Sequence, residues 1–323
     1  MLEILEKSKG EFLSGNELAG RLDVSRNAVW KAVKALQEDG YRIQAVTNRG
    51  YCLTADNDVL SEPGILGYLR EYGAIAPFAV EVFKSLTSTN TVLRERAAGG
   101  AAEGLVIAAN TQTAGRGRQG RSFFSPADHG AYFSMLLRPQ LPVDVAAHIT
   151  AAASVAVARA VEDVAGVPAG IKWVNDVFAG GRKICGILTE ASLGMESGLV
   201  ESAVLGIGIN VSRPADGLPE ELADIATTLA DQRPLSGDTR CRLIARTLTY
   251  FWEYYENLAA KTFLAEYRAR SIILGHNITV LGPGEPIAAH ALEIDDDCRL
   301  VVRYDSGETA ALASGEVSIR RID

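Results

Sequence analysis

The sequence predicts an α+β chain of several domains: an N-terminal winged helix-turn-helix, a central mixed α/β domain and a small C-terminal β-barrel. Three observations predict it. Residues 1–53 carry three short amphipathic helical patterns and then two strand-like runs. Residues 65–270 alternate apolar strand-like runs with longer helical patterns, and residues 275–323 hold short alternating runs between turn residues. A length of 323 residues is itself a prior for two or three domains. With 47% hydrophobic residues there is ample core material; a net charge of −8 argues against coating nucleic acid nonspecifically, though not against one small basic face.

In residues 1–60, Leu2, Ile4 and Leu5, then Leu18 and Leu22, then Val29, Val33 and Leu36 mark the apolar faces of three helices. Ser14-Gly-Asn-Glu17 is a capping-box signature for the second, and Asp23-Val24-Ser25 is a tight turn with Ser25 placed to cap the third. That layout is a helix-turn-helix. The third helix carries Arg26, Asn27, Lys31 and Lys34 with no acid before Glu38. Residues 41–53 read as two strands around an Asn48-Arg49-Gly50 turn, a wing. DNA is the expected partner: Arg26 and Asn27 reach base edges, while Lys31, Lys34 and Arg49 contact phosphates. The bland alternative is a helical adaptor with a basic face. Tight operator binding needs two half-sites, so this domain predicts a dimer. Thr54 to Gly64, polar and turn-rich, reads as a linker.

In the central domain, strand-like runs at 79–84, 105–111, 131–138, 170–178, 184–190 and 202–211 alternate with helical patterns at 90–98, 145–165 and 238–260. The decisive stretch is 112–126. Gly115, Gly117 and Gly120 permit close backbone approach and positive φ, and Arg116, Arg118 and Arg121 set three forked, permanent cations among them. Such forks suit phosphate and carboxylate oxygens, so the stretch reads as an anion clamp. Like-charge repulsion predicts a loop that is mobile until an anion orders it. The same glycines match G-x-G-x-x-G, but Phe123-Phe124-Ser125-Pro126 follows where a dinucleotide fingerprint opens a helix, so that reading fails. Ser88-Thr89-Asn90 is placed to cap the helix at 90–98.

The C-terminal runs at 277–281, 287–294, 299–304 and 316–321, with turns at Gly282–Pro286 and Asp295–Asp297, predict an SH3-like barrel, most simply a structural cap. Cys52, Cys185, Cys241 and Cys298 are far apart and form no C-x-x-C pair; with no secretory leader in sight, reduced thiols in a cytoplasm are expected. The alanine-rich pattern at 145–162 includes His148 and Arg159 and reads as core, not as a membrane span. The four histidines have no ligand-like spacing.

Three strings then carry a resemblance. Gly115-Arg-Gly-Arg-Gln-Gly-Arg121, with Ser125-Pro126 and Ala131-Tyr-Phe-Ser134 beyond, is similar to the signature loop of biotin–protein ligases. Lys172-Trp-Val-Asn-Asp-Val177 with Gly181-Arg-Lys-Ile-Cys-Gly186 and Ile187-Leu-Thr-Glu190 resembles that family's second motif, and Gly206-Ile-Gly-Ile-Asn210 its late glycine–asparagine strand. The resemblance implies a bifunctional biotin–protein ligase and biotin operon repressor. Its substrates are biotin and ATP with Mg²⁺, and its protein partner is a biotin carboxyl carrier domain.

By the same resemblance Ser88, Thr89, Asn90 and Gln112 face the ureido ring of biotin, and Gly115, Arg116, Gly117, Arg118, Lys183, Gly186 and Gly206 complete the biotin site. Arg116, Arg118, Arg121, Phe123, Asn175, Asp176 and Asn210 fall to the nucleotide, with Asp176 also the candidate Mg²⁺ ligand. Lys183, Arg118 and Asp176 are the expected catalytic residues. Phe123 departs from the tryptophan the family commonly carries, and the segment Arg213–Asp224 is expected to be a second closing loop. Three rivals stay open: a lipoate-type ligase, a ligand-responsive regulator without catalysis, and a ligase whose N-terminal domain no longer binds DNA.

Overall fold

The computed structural model describes residues 1–194, 197–281 and 285–319. Helices α1 (Leu2–Lys7), α2 (Gly15–Leu22) and α3 (Arg26–Glu38) pack their apolar faces around Leu5, Leu18, Val29 and Val33. The Ser14 hydroxyl accepts the Glu17 N–H at 3.1 Å, but the Glu17 carboxylate pairs with Arg21, so the predicted capping box is realised on the serine side. Asp23 takes the left-handed conformation at φ 52°, and Ser25 caps α3 through the Ala28 N–H. Strands β1 (Ile43–Val46) and β2 (Gly50–Leu53) pair antiparallel as the wing. Gly50, at φ 102°, is required: a Cβ there would lie 2.0 Å from the Leu13 carbonyl oxygen.

The predicted linker is shorter than its composition suggests. Ser61 caps α4 (Glu62–Glu71) through the Gly64 N–H, so Glu62, Pro63 and Gly64 form the first helical turn, where a proline loses nothing. The rest is anchored. Asn57, Leu60 and Ser61 are buried, and Asp58 binds Arg240, itself 2% exposed. Arg240 also donates to Asn110 at 2.6 Å and lies 3.5 Å from Asp128, so one buried guanidinium joins the linker to both ends of the arginine-rich segment.

Next come β3 (Ala79–Phe83), α5 (Thr89–Ala98), β4 (Leu105–Ala109), β5 (Gly130–Leu137), α6 (Val143–Ala146) and α7 (His148–Ala165). They are followed by β6 (Gly170–Lys172), β7 (Asp176–Ala179), β8 (Arg182–Leu193) and β9 (Val200–Asn210). The run read as one strand over 170–178 is thus two, turning at 173–175. Helices α8 (Glu220–Ala223), α9 (Leu229–Gln232), α10 (Thr239–Tyr255) and α11 (Leu264–Ala269) complete the unit.

The sheet runs β3-β4-β5-β9-β8-β7-β6, with only β3–β4 parallel. Period-two alternation sorts its faces. On β9, Leu205, Ile207 and Ile209 point into the core shared with α7 and α10, while Val204 shares the cluster formed by Leu93, Ile107 and Leu136. That leaves Gly206 and Gly208 on the α5 side. The segment Val143–Ala165, α6 and α7 together, is long and apolar enough to cross a membrane, but here α7 is packed against α10 and the sheet.

The C-terminal strands β10 (Asn277–Leu281), β11 (Ile287–Ile294), β12 (Leu300–Tyr304), β13 (Thr309–Leu312) and β14 (Glu316–Ile319) form an SH3-like antiparallel sheet in the order β13-β12-β11-β10-β14. A register shift between Ala291 and Glu293 bends β11, and among the described residues no β13–β14 pairing closes the barrel. Strand β13 was not anticipated. Residues 282–284 of the expected turn and 320–321 of the expected last strand lie outside the described residues. Ile278, Ala291, Leu300, Val302 and Val317 join the central core, and Trp173 donates its indole N–H to the Cys298 carbonyl at 2.9 Å.

Candidate active site

The cleft opens over the α5 face of the sheet, where Gly186 on β8 and Gly206 and Gly208 on β9 leave the backbone bare. It has a volume of about 1400 Å³ counting its open mouth, enough for more than one small ligand. At one end sit neutral hydrogen-bonding groups. Ser134, fully buried on β5, donates to the Asn90 Oδ1 at 2.6 Å and stands 2.7 Å from the Thr89 hydroxyl oxygen. Asn90 Nδ2 donates to Glu190 at 2.9 Å. Gln112 Oε1 accepts the Thr89 N–H at 2.9 Å, and its Nε2 donates to Ser125. Ser88 occupies the N-cap position of α5 without a side-chain capping bond, so the amide of Gln112 performs that task. Asn90 needs Gly206 beneath it: a Cβ there would lie 2.0 Å from its Oδ1.

The loop 112–125 folds back on itself. Gln112 N–H bonds the Ser125 carbonyl, Phe123 N–H the Gly115 carbonyl at 2.8 Å, and Gly117 N–H the Arg121 carbonyl at 2.7 Å. Its glycines serve the turn itself: a Cβ at Gly115 would strike the Phe123 oxygen at 2.3 Å, and Gly120 sits at φ 75°. The expected repulsion among the three guanidinium groups is relieved by their divergence. Arg116 takes Glu190 at 2.9 Å, Arg118 donates to Asn175 Oδ1 at 2.9 Å, and Arg121 reaches Glu316 of β14 at 2.7 Å. That last partner holds the Glu316 carboxyl below its ordinary range. The Phe123 ring lies over the facing pair Gly186 and Gly208, where a Cβ on Gly208 would meet it at 2.5 Å.

Beyond Phe123 the cleft is charged. Lys183 Nζ stands 2.8 Å from Asp176 Oδ1. Lys172, on β6, is pushed below the usual lysine value by burial, and Asp176 and Glu316 oppose that shift. Four cations (Lys172, Lys183, Arg118 and Arg121) thus face two carboxylates (Asp176 and Glu316), an excess that suits an anion. Asn175 is fixed to β8 by its Nδ2–H bond to the Ile187 carbonyl at 2.9 Å, and Asn210 donates to the Thr227 carbonyl. Lys183 N–H and C=O clasp Ile225 and Thr227 in a parallel bridge, which brings Leu222 and Ile225 into the wall. Of the segment 213–224, Leu218 and Leu222 face the cleft, whereas Arg213 turns to Asp231 at 2.8 Å.

Of the residues expected at this site, Ser88, Thr89, Asn90, Gln112, Arg116, Gly117, Arg118, Arg121, Phe123, Asn175, Asp176, Lys183, Gly186, Gly206 and Asn210 line one cleft. Gly115 does not line it. Sequence reading missed Lys172, though it opens the Lys-Trp-Val-Asn-Asp string, and Glu190, the last residue of that motif. It also missed Ser134 and Glu316, whose roles arise only where distant strands meet. Among the described residues no group of three His, Cys, Asp or Glu side chains forms a metal cage. Far from the cleft, Arg26, Asn27, Lys31 and Lys34 are exposed along α3, and the Arg49 guanidinium lies 4.1 Å over the Phe12 ring on the wing.

Fold and cleft together define a class: an acyl-activating ligase core carrying a winged helix-turn-helix. Family comparison agrees segment by segment. Residues 82–210 match the biotin/lipoate A/B protein ligase family, 1–52 an HTH domain and 273–320 the biotin protein ligase C-terminal domain. The chain is 33% identical to the bifunctional ligase/repressor BirA of Bacillus subtilis, over 95% of this chain and 94% of that one. It is 27% identical to the BirA of Escherichia coli, over 97% and 94%. A solved biotin protein ligase from Aquifex aeolicus, in complex with biotin and ATP, aligns with a TM-score of 0.64 at 28% identity, covering 75% of this chain and 98% of that one. The chain belongs to the bifunctional biotin ligase/repressor BirA family.

Proposed function

We propose that this chain joins biotin to a lysine of a biotin carboxyl carrier domain at the cost of ATP, and represses biotin genes when its site is filled. A carboxylate is a poor acyl donor because its leaving group would be oxide. One biotin carboxylate oxygen therefore attacks the α-phosphorus of ATP and pyrophosphate leaves, giving biotinyl-5′-AMP. The acceptor lysine nitrogen then attacks the acyl carbon and AMP leaves. The neutral groups Ser88, Thr89, Asn90 and Gln112 suit a ureido ring, which offers both donors and an acceptor. Lys183 and Arg118 neutralise charge that grows on carboxylate and phosphoryl oxygens in the first step. Arg116, Arg121, Asn175 and Asn210 border the nucleotide, and Phe123 separates it from the biotin end.

Mg²⁺ fits this site only with the nucleotide's help. Asp176 is the carboxylate in place to hold it, beside phosphate oxygens and water, and the ion would neutralise phosphate charge. Engaged with the ion, Asp176 would release Lys183 for substrate.

The adenylate also acts as corepressor. The two flanks of the arginine loop and the linker to the DNA-binding domain are tied to the same Arg240, and the filled site favours a homodimer that binds a palindromic operator through Arg26, Asn27, Lys31, Lys34 and Arg49. The working units are 1–60, 65–270 and 275–323, and the setting is the cytoplasm, with no membrane partner. The single observation that carries this reading is one cleft in which neutral hydrogen-bonding groups, a glycine floor and a cation cluster stand in series. Pyrophosphate release measured with ATP and either biotin or lipoate tests it. Release with biotin, and gel retardation of operator DNA only with biotin and ATP together, is expected; turnover with lipoate alone or no turnover ends it.

A further inference from the structure

The buried positions of α3 are Val29 and Val33, each 1% exposed. At about 100° per residue, the outward arc holds Trp30, Lys34, Asn27 and Lys31 side by side, with Arg26 at its edge and one acid, Glu38, at the helix's C-terminal end. Trp30 is 50% exposed, whereas the other two tryptophans, Trp173 and Trp252, are 3% and 8% exposed. Of its neighbours one turn away, Val33 points into the core and Arg26, Asn27 and Lys34 are exposed polar or cationic groups, which leaves the ring half exposed. An indole set in a cationic arc calls for a polyanion that also offers an apolar spot. The major groove does so through the thymine C5-methyl group, flanked by phosphates at the distance of one helix face.

We propose that Trp30 reads a thymine C5-methyl group in the operator's major groove, between the base-edge contacts of Arg26 and Asn27 and the phosphate contacts of Lys31 and Lys34. This rests on the DNA-binding reading of the N-terminal domain and assigns it a specificity determinant. The indole contributes by contact of its apolar face, so the pair discriminates thymine from a base lacking that methyl, not by charge.

The test uses the full-length protein with biotin, ATP and Mg²⁺, and a duplex selected by it from a random-sequence library. Each thymine is replaced in turn by deoxyuridine, which lacks only the C5-methyl. The wild type is expected to lose about fourfold in affinity at one position, the worth of one buried methyl group. The variant Trp30→Ala should bind the thymine site about tenfold more weakly and ignore that replacement, while Trp30→Phe keeps part of the sensitivity. Bound duplex should also shield the acrylamide-quenchable fluorescence, which comes from Trp30 because the other indoles are buried. Thermal stability and biotin transfer by Trp30→Ala should equal those of the wild type. Selective binding with every uracil tolerated, or quenching unchanged by DNA because another protein surface covers the ring, overturns the proposal alone. Failure to bind any duplex overturns the DNA-binding reading with it.

Discussion

In the proposed reaction Lys183 neutralises the charge that grows in the first step. It stands 2.8 Å from Asp176 at the rim of the anion-binding end, and a methionine there keeps the length but removes the charge. Lys183→Met is expected to slow adenylate formation by about 10²–10³-fold, the usual effect of deleting one preorganised electrostatic partner. Single-turnover pyrophosphate release measures it, with thermal unfolding run alongside to register the unpaired Asp176. The three loop arginines were legible in the sequence because they are spaced by glycines, and Lys183 and Asp176 because their strings resemble a ligase motif. Glu190 and Ser134 were not. Glu190 looks like an ordinary strand residue until Asn90, Arg94 and Arg116 converge on it, and Ser134 until two α5 side chains turn to its hydroxyl. Such roles depend on register across strands that are up to a hundred residues apart.

Strands β8 and β9 form the floor, and their glycines decide what can lie on it. Gly206→Ala places a Cβ 2.0 Å from the Asn90 Oδ1, which Ser134 and Glu190 hold in place. The asparagine must move, so KM for biotin should rise about 10- to 100-fold, the cost of breaking a buried hydrogen-bond set, with a smaller change in kcat. Initial rates over a biotin titration check this; an unchanged KM would place biotin elsewhere in the cleft. The same strands show what a sequence reveals at this scale. Both were legible as apolar strand-like runs, and Gly206 was expected at the site, whereas Gly208, which also lines the cleft, was not. The turn-prone Asn175-Asp176 pair marks the break at 173–175 inside the strand-like run 170–178, and there Asn175 bonds across to Ile187. The linker's composition misled: its Asp, Asn, Glu and Pro residues suggest a loose tether, yet Ser61 caps α4, Glu62 and Pro63 begin that helix, and Asp58 binds Arg240.

Across the whole molecule, the C-terminal sheet is seated on the central core, and His148 reports on that junction. It is 2% exposed, stands 6.3 Å from the Phe263 ring, and neither ring nitrogen has a hydrogen-bond partner. Burial, aided by Lys261, depresses its pKa below 6.5. The unfolded chain thus binds this proton more readily than the folded one. The stability contributed by the neutral ring is present above about pH 6.5 and is lost as pH falls through the lower, folded value. Thermal midpoints of the wild type should therefore drop more than those of His148→Phe between pH 7 and pH 5. Equal slopes would mean that the imidazole is hydrated or paired. Domain order was legible from composition and periodicity, but not this packing: the apolar residues of β10 to β14 could have served a separate core or, as they do, the shared one.

The account turns on one cleft that makes and holds an acyl adenylate. The most direct measurement supplies the full-length protein with biotin, Mg²⁺ and ATP labelled either at the α- or the γ-phosphate, followed by rapid desalting. Label from the α-phosphate alone should stay with the protein, and adding a biotin carboxyl carrier domain should discharge it as AMP while one lysine of the carrier gains biotin. Retained γ-label, or α-label that the carrier cannot discharge, would contradict it.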